Sequence, residues 1–152
     1  MGLDMYLTAK EKSTSKVEVA YWRKANQIHN WFVSNVQNGE DDCDEYAVTR
    51  DQLLELYSTV MFLLGEIKLR QGLVTNGQRY EDGKWVPIKE VGKVITNPDL
   101  AAEILPTSSG FFFGSTEYDE YYYSDLVVTK KQLESIFEDH PDTEVFYYQA
   151  SW

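Results

Sequence analysis

Leu3, Met5, Leu7 and Ala9 alternate with Asp4, Tyr6 and Thr8 at the start of the chain, the period of two that a half-buried strand produces. EKSTSK at 11–16 reads as a solvated loop, after which Val17, Val19 and Tyr21 resume the alternation. The first two strands are therefore expected to pair as a hairpin. The period then changes. Trp22, Ala25, His29, Phe32, Val33 and Val36 fall on one stripe at 100° per residue, predicting a helix over 22–36 with His29 near the middle of its apolar face. Trp31 points the other way, either under another element or out toward a partner.

Asn38-Gly39 suits positive φ and ends that helix, and GEDDCDE leads to a short strand at 46–48. TRDQ at 49–52 fits a capping box. The helix after it, expected over 50–71, carries Leu53, Leu56, Tyr57, Val60, Leu64 and Ile67 on one face, with Leu54, Met61 and Leu63 widening it. Beyond Gly72, Asn76-Gly77 and Asp82-Gly83 are turn signals, and QRYEDGKWVPI reads as a small edge hairpin containing Pro87. Residues 73–95 are expected to form a peripheral appendage. Asn97-Pro98-Asp99 opens a short helix that Leu105-Pro106 closes.

Phe111 to Phe113, held between Gly110 and Gly114, are apolar enough to predict a buried strand. For the next segment two patterns compete. TKKQ at 129–132 resembles a capping box and would make 126–128 a strand, whereas Tyr122, Leu126, Thr129, Leu133 and Ile136 repeat at helical spacing. The longer pattern favours a helix over 119–138, stopped by His140-Pro141, with a last strand at 144–149. The expected class is α+β, with a mixed or mainly antiparallel sheet of about four to six strands covered by three helices in a single domain over 1–152.

Composition narrows the function more than the fold. Fourteen Lys and Arg stand against 25 Asp and Glu, a formal charge of −11, so a phosphate backbone would be repelled and direct nucleic-acid binding is not expected. A protein with a basic surface would be attracted. Cys43 is the only cysteine, which excludes an intrachain disulfide and suits a reducing cytoplasm. No apolar run is long enough for a bilayer and no signal layout opens the chain, so neither membrane nor export is expected.

MGLDMYL at 1–7, YWRKANQIHNWFV at 21–33, DDCDEY at 41–46 and SGFFFGSTEYDEYY at 109–122 together resemble a family of small, uncharacterised phage and prophage proteins. The resemblance covers both ends and the second helix, with no counterpart for 72–97. It implies an accessory gene of mobile elements, a setting in which inhibitors of host machinery and of antiviral defence are common. It assigns no functional residues.

The candidate site joins Tyr21, Trp22, Arg23, Asn26 and His29 to Ser115, Thr116, Glu117 and Tyr118. Aromatic faces stack bases, arginine forks phosphate, and Ser-Thr-Glu can hydrogen-bond sugar or base edges, so a nucleotide-like ligand suits these types. The competing reading is a core aromatic cluster whose polar groups satisfy one another. Asp119, Tyr121 and Tyr122 extend the second motif into an acidic tyrosine face suited to a protein partner. A His29–Cys43 nucleophile–base pair lacks an orienting acid and an oxyanion loop. Asp41, Asp42, Asp44 and Glu45, with Glu117, Asp119 and Glu120, offer oxygens to a divalent cation, but their spacing matches no EF-hand loop and they read as a solvated acidic face. No catalytic, metal or cofactor residue is assigned. The expected function is a non-enzymatic, phage-type binding protein that blocks or sequesters a host component, nucleic-acid mimicry being one route. The alternative is a protein that binds a nucleotide-like signal as a sponge, or hydrolyses it. Self-association into a homo-oligomer is compatible with either.

Overall fold

The computed structural model describes residues 2–10, 15–110 and 112–152. Strands β1 (Asp4–Lys10) and β2 (Lys16–Arg23) pair antiparallel, and β6 (Val145–Ser151) lies on the other side of β1. β3 (Tyr46–Thr49) pairs antiparallel with β6 and completes a four-stranded sheet in the order β2-β1-β6-β3. The alternation read from the sequence sets the faces. Met5, Leu7, Ala9, Ala20, Trp22, Phe146, Tyr148 and Ala150 point into the core, while Tyr6 and Tyr21, opposite each other in register, point outward. The expected α+β class, with antiparallel sheets and covering helices, is what the chain forms.

Helix α1 (Asn26–Asn35) lays Phe32 flat on Tyr148 of β6 with ring centroids 3.8 Å apart. α4 (Glu120–Asp139) places Thr129 beneath β2, where its Oγ1 accepts a 2.9 Å bond from the Trp22 indole N–H. α2 (Arg50–Glu66) packs on α4 through Tyr57, whose ring meets Phe137 edge-on and whose hydroxyl donates to Glu134 at 2.7 Å. The capping box at Thr49 and Gln52 forms in both directions, at 3.1 and 2.9 Å, a device that stabilises a helix start by about 1 kcal/mol. The helical spacing through Tyr122, Leu126, Thr129, Leu133 and Ile136 prevails over the TKKQ cap, and all five side chains are buried.

Four expectations are corrected. The helix foreseen over 22–36 begins at Asn26. Trp22 belongs to β2, because Ala20 and Trp22 alternate inward there and Lys24, at φ 56°, breaks the chain before the helix starts. α2 stops at Glu66 rather than 71, since Lys68 and Thr96 bond reciprocally and pull the following residues into a ladder. That ladder is longer than the foreseen appendage: β4 (Leu69–Glu81) and β5 (Lys84–Ile95) form a two-stranded arm. Asp82-Gly83 turns it, with both residues at positive φ, whereas Asn76-Gly77 sits within β4 where the register shifts, the signature of a bulge.

The fourth correction concerns the phenylalanines. Phe111 lies outside the described residues. Phe113 N–H donates to Gly110 O at 3.2 Å, and Phe112 and Gly114 take positive φ, so the segment is a turn, not a buried strand. Of the two described phenylalanines, Phe113 is fully inserted, against His29 and Trp152, while Phe112 is half exposed. Gly110 is required because a Cβ there would stand 2.6 Å from the Phe113 ring. α3 (Pro98–Ile104) precedes this turn, with proline at its first position as expected.

Candidate functional site

Asn26, first residue of α1, is buried and holds the turn in place. Its side-chain amide donates to the carbonyls of Phe113 at 3.1 Å and Ser115 at 2.9 Å, and its Oδ1 accepts from Ser108 N–H at 3.0 Å. The motifs at 21–29 and 115–118 therefore meet through Asn26. Where they meet, a cleft of about 330 Å³ opens between the start of α1 and the start of α4, within the size range of small-ligand sites. Arg23, Lys24 and Gln27 form one wall. Ser115, Glu117, Asp119, Tyr121, Tyr122 and Asp125 form the other.

Each wall is built locally. Lys24 sits at the β2–α1 junction with positive φ, anchored by its N–H to Leu3 O at 2.8 Å. Gly114, itself at φ 87°, lets the turn approach to where a Cβ would be 3.2 Å from that of Lys24. Asp119 caps α4 by accepting from the N–H groups of Tyr121 and Tyr122 at 3.0 and 3.2 Å. Ser115 Oγ accepts from Glu117 N–H at 3.0 Å and so sets the entry to that helix.

The electrostatics of the cleft are dominated by burial. Desolvation pushes the Asp125 carboxyl up to about 7, against the 3.3 Å bond it accepts from Gln27 and with further upward pressure from Asp119. Asp119 is also raised by desolvation, although the α4 N–H groups pull it down. At neutral pH Asp125 is thus divided between a proton-donating acid and a carboxylate. Arg23 faces an anion outside the cleft, Asp4, at 3.0 Å. The cleft holds cations, carboxylates and one exposed ring, Tyr121, with neither histidine nor cysteine among its lining residues.

The expected site residues divide accordingly. Arg23, Ser115, Glu117, Asp119, Tyr121 and Tyr122 line the cleft, and Asn26 supports it. Trp22 is core. Tyr21 stands on the outer face of the sheet, its hydroxyl donating to Asp4. Thr116 turns outward, its carbonyl accepting from Thr107 at 3.0 Å, and Tyr118 accepts from Thr107 N–H at 3.2 Å with its ring on Tyr122. Tyr122 closes the floor, its buried hydroxyl donating to Leu105 O at 2.7 Å.

His29 belongs elsewhere. It is buried, with Nδ1 2.6 Å from the Tyr148 hydroxyl and Nε2 2.8 Å from Asp41. The carboxylate keeps the proton on Nε2, leaving Nδ1 to accept from the tyrosine. Burial lowers its affinity for a second proton, a trend Asp41 opposes. With both nitrogens engaged, His29 does not serve as a base for Cys43. The neighbouring acids are also spoken for: Asp42 accepts from Tyr46 at 2.6 Å, and Glu45 pairs with Lys16 at 2.6 Å.

Sequence reasoning missed Lys24, Gln27 and Asp125. Asp125 follows Tyr121 by four positions, the spacing that puts both on one helical face, and that was the available signal. Nothing local singles out Gln27, whose role arises from its bonds to Tyr122 O and Asp125 across 95 and 98 residues. Comparison with known proteins finds no matching family model, no matching curated protein and no matching solved structure.

Proposed function

We propose that this chain is a non-enzymatic binding protein that captures a basic element of a protein partner at the cleft between α1 and α4. The observation that carries the reading is the convergence of Glu117, Asp119 and Asp125 on one cleft beside the exposed Tyr121 ring. A cationic side chain entering it would gain carboxylate partners and an aromatic face. The net charge of −11 would steer such a partner from a distance. Taken with the resemblance to phage proteins, the partner is a host component in the host cytoplasm that is blocked or sequestered, as a host-takeover or counter-defence inhibitor does. Occupying a nucleic-acid-binding surface by mimicry is the form most consistent with the charge.

Immobilised protein is expected to retain one stoichiometric, basic-surfaced partner from host lysate, and Glu117→Lys with Tyr121→Ala is expected to abolish retention. No stoichiometric partner, or equal retention by the double variant, overturns the reading.

A second reading is favoured by Arg23, Gln27 and the near-neutral Asp125 sharing the same small cleft. A guanidinium, an amide and a carboxyl that donates when protonated suit a nucleotide-like signal. A panel of nucleotides should then raise the melting temperature of the wild type but not of Gln27→Ala. Conversion of the bound nucleotide would distinguish a hydrolase from a sponge. A panel without effect removes this alternative.

A further inference from the structure

We propose that the β4–β5 arm docks on the outer face of α2 in a second copy of this chain, forming a two-fold dimer. Charge is segregated within the molecule. Between 68 and 96 the basic residues are Lys68, Arg70, Arg79, Lys84, Lys89 and Lys93, against Glu81, Asp82 and Glu90. The rest of the chain holds eight bases and 22 acids. The arm is a cationic element on an anionic body.

One face of the arm is also apolar. Strand alternation and register put Leu73, Val91, Tyr80 and Trp85 on the same side as Lys89 and Lys93. Leu73 is 67% exposed, Val91 65% and Trp85 66%, so the arm does not fold back on its own body to cover them. Near its base, Leu69, Gln71, Val91 and Lys93 bound an open hollow of about 440 Å³. A contiguous apolar strip with a cationic rim marks an interaction surface.

The complementary surface is on α2. Leu54, Met61 and Phe62 fall within one solvent-facing stripe of that helix, and Phe62 is 50% exposed. Asp51, Glu55 and Glu66 rim the same stripe and are exposed. Apolar residues with an anionic rim on α2 match apolar residues with a cationic rim on the arm. Because one chain carries both halves, a two-fold axis engages each pair twice. That doubling brings a modest arm-on-helix contact toward the area a stable dimer needs. Phe62 is the side chain assigned to the hollow at the arm's base. Neither surface is among the residues that line the α1–α4 cleft, and the arm's hydrogen bond to that cleft, Thr75 N–H to Glu117 at 3.5 Å, involves none of the residues varied below, so sedimentation tests the dimer apart from partner retention.

Analytical ultracentrifugation of the full chain across the micromolar range is expected to show a reversible monomer–dimer equilibrium. Leu73→Glu with Val91→Glu should weaken it at least about tenfold, as should Lys89→Glu with Lys93→Glu, in line with loss of central and charged contacts. All four positions are exposed, so unchanged circular dichroism should confirm folding. Adding Glu55→Lys and Glu66→Lys to the lysine double variant should restore dimerisation. A wild type that stays monomeric overturns the proposal, as does a dimer indifferent to these changes or a charge swap that fails to restore it.

Discussion

In the body of the protein, Phe32 and Tyr148 stack 3.8 Å apart and neither reaches solvent; in the arm, Tyr80 and Trp85 meet edge-on at 5.5 Å with both rings about two-thirds exposed. The residue types are alike but the surroundings differ. Tyr148 is pressed between α1 and the sheet and its hydroxyl needs the His29 nitrogen, because an unpaired hydroxyl in the core would cost stability. Trp85 meets Tyr80 across the strands and is otherwise left largely exposed. Large apolar side chains are therefore no measure of stability by themselves. Removing area from water is what counts, and the arm leaves these side chains in water.

The widest separation between the two regions should appear on truncating a ring in each. Phe32→Ala removes a fully buried ring that touches Trp22, Trp31 and Tyr148, and is expected to lower unfolding free energy by about 3–5 kcal/mol in urea titrations. A loss below about 1 kcal/mol would mean that the core does not depend on this stack.

A smaller effect should separate buried His29 from half-buried Asp125, whose shifts have opposite sign. Asp125 holds its proton up to about 7 in the folded chain, well above an ordinary aspartate. Its contribution to stability is therefore complete below the unfolded value of 3.8 and is lost as pH rises through 7. His29 behaves oppositely. Its folded value is lowered, so its contribution is present above 6.5 and is lost on acidification. In the wild type the two slopes oppose each other. Asp125→Asn should leave the His29 slope alone, so that variant minus wild type grows with pH by on the order of 2 kcal/mol between pH 5 and 8. A difference independent of pH would show that Asp125 titrates normally.

The smallest effect is expected in the arm. Trp85→Ala should shift the urea midpoint by less than about 0.5 kcal/mol equivalent in dilute, monomeric protein, with an unchanged slope. A larger loss would place Trp85 in the stabilising core and erase the contrast with Phe32.

These contrasts were partly legible in the chain. Local pattern was enough for the strands at both ends, the capped start of α2, the proline-led α3 and the length of α4, because each depends on neighbours within a turn or two. The acidic body and the aromatic second motif were likewise visible in composition. Trp22 was misassigned because its core contacts, Phe32 and Thr129, lie on other elements, and a stripe that continues from strand into helix looks like one helix. The phenylalanine run looked like a strand because apolarity signals burial without signalling backbone conformation.

The sequence by itself thus determined periodicity, charge and where the chain can turn, since those are carried by residues close along the backbone. Only the tertiary structure decided that Asn26 would clamp a turn more than 80 residues away, that Gln27 and Asp125 would share a cleft, and that His29 would face inward to Tyr148. Those pairings depend on packing between distant segments, where many arrangements satisfy the same local pattern and the one that buries the most surface while pairing all but a rare buried polar atom, here Gln132 Nε2, prevails.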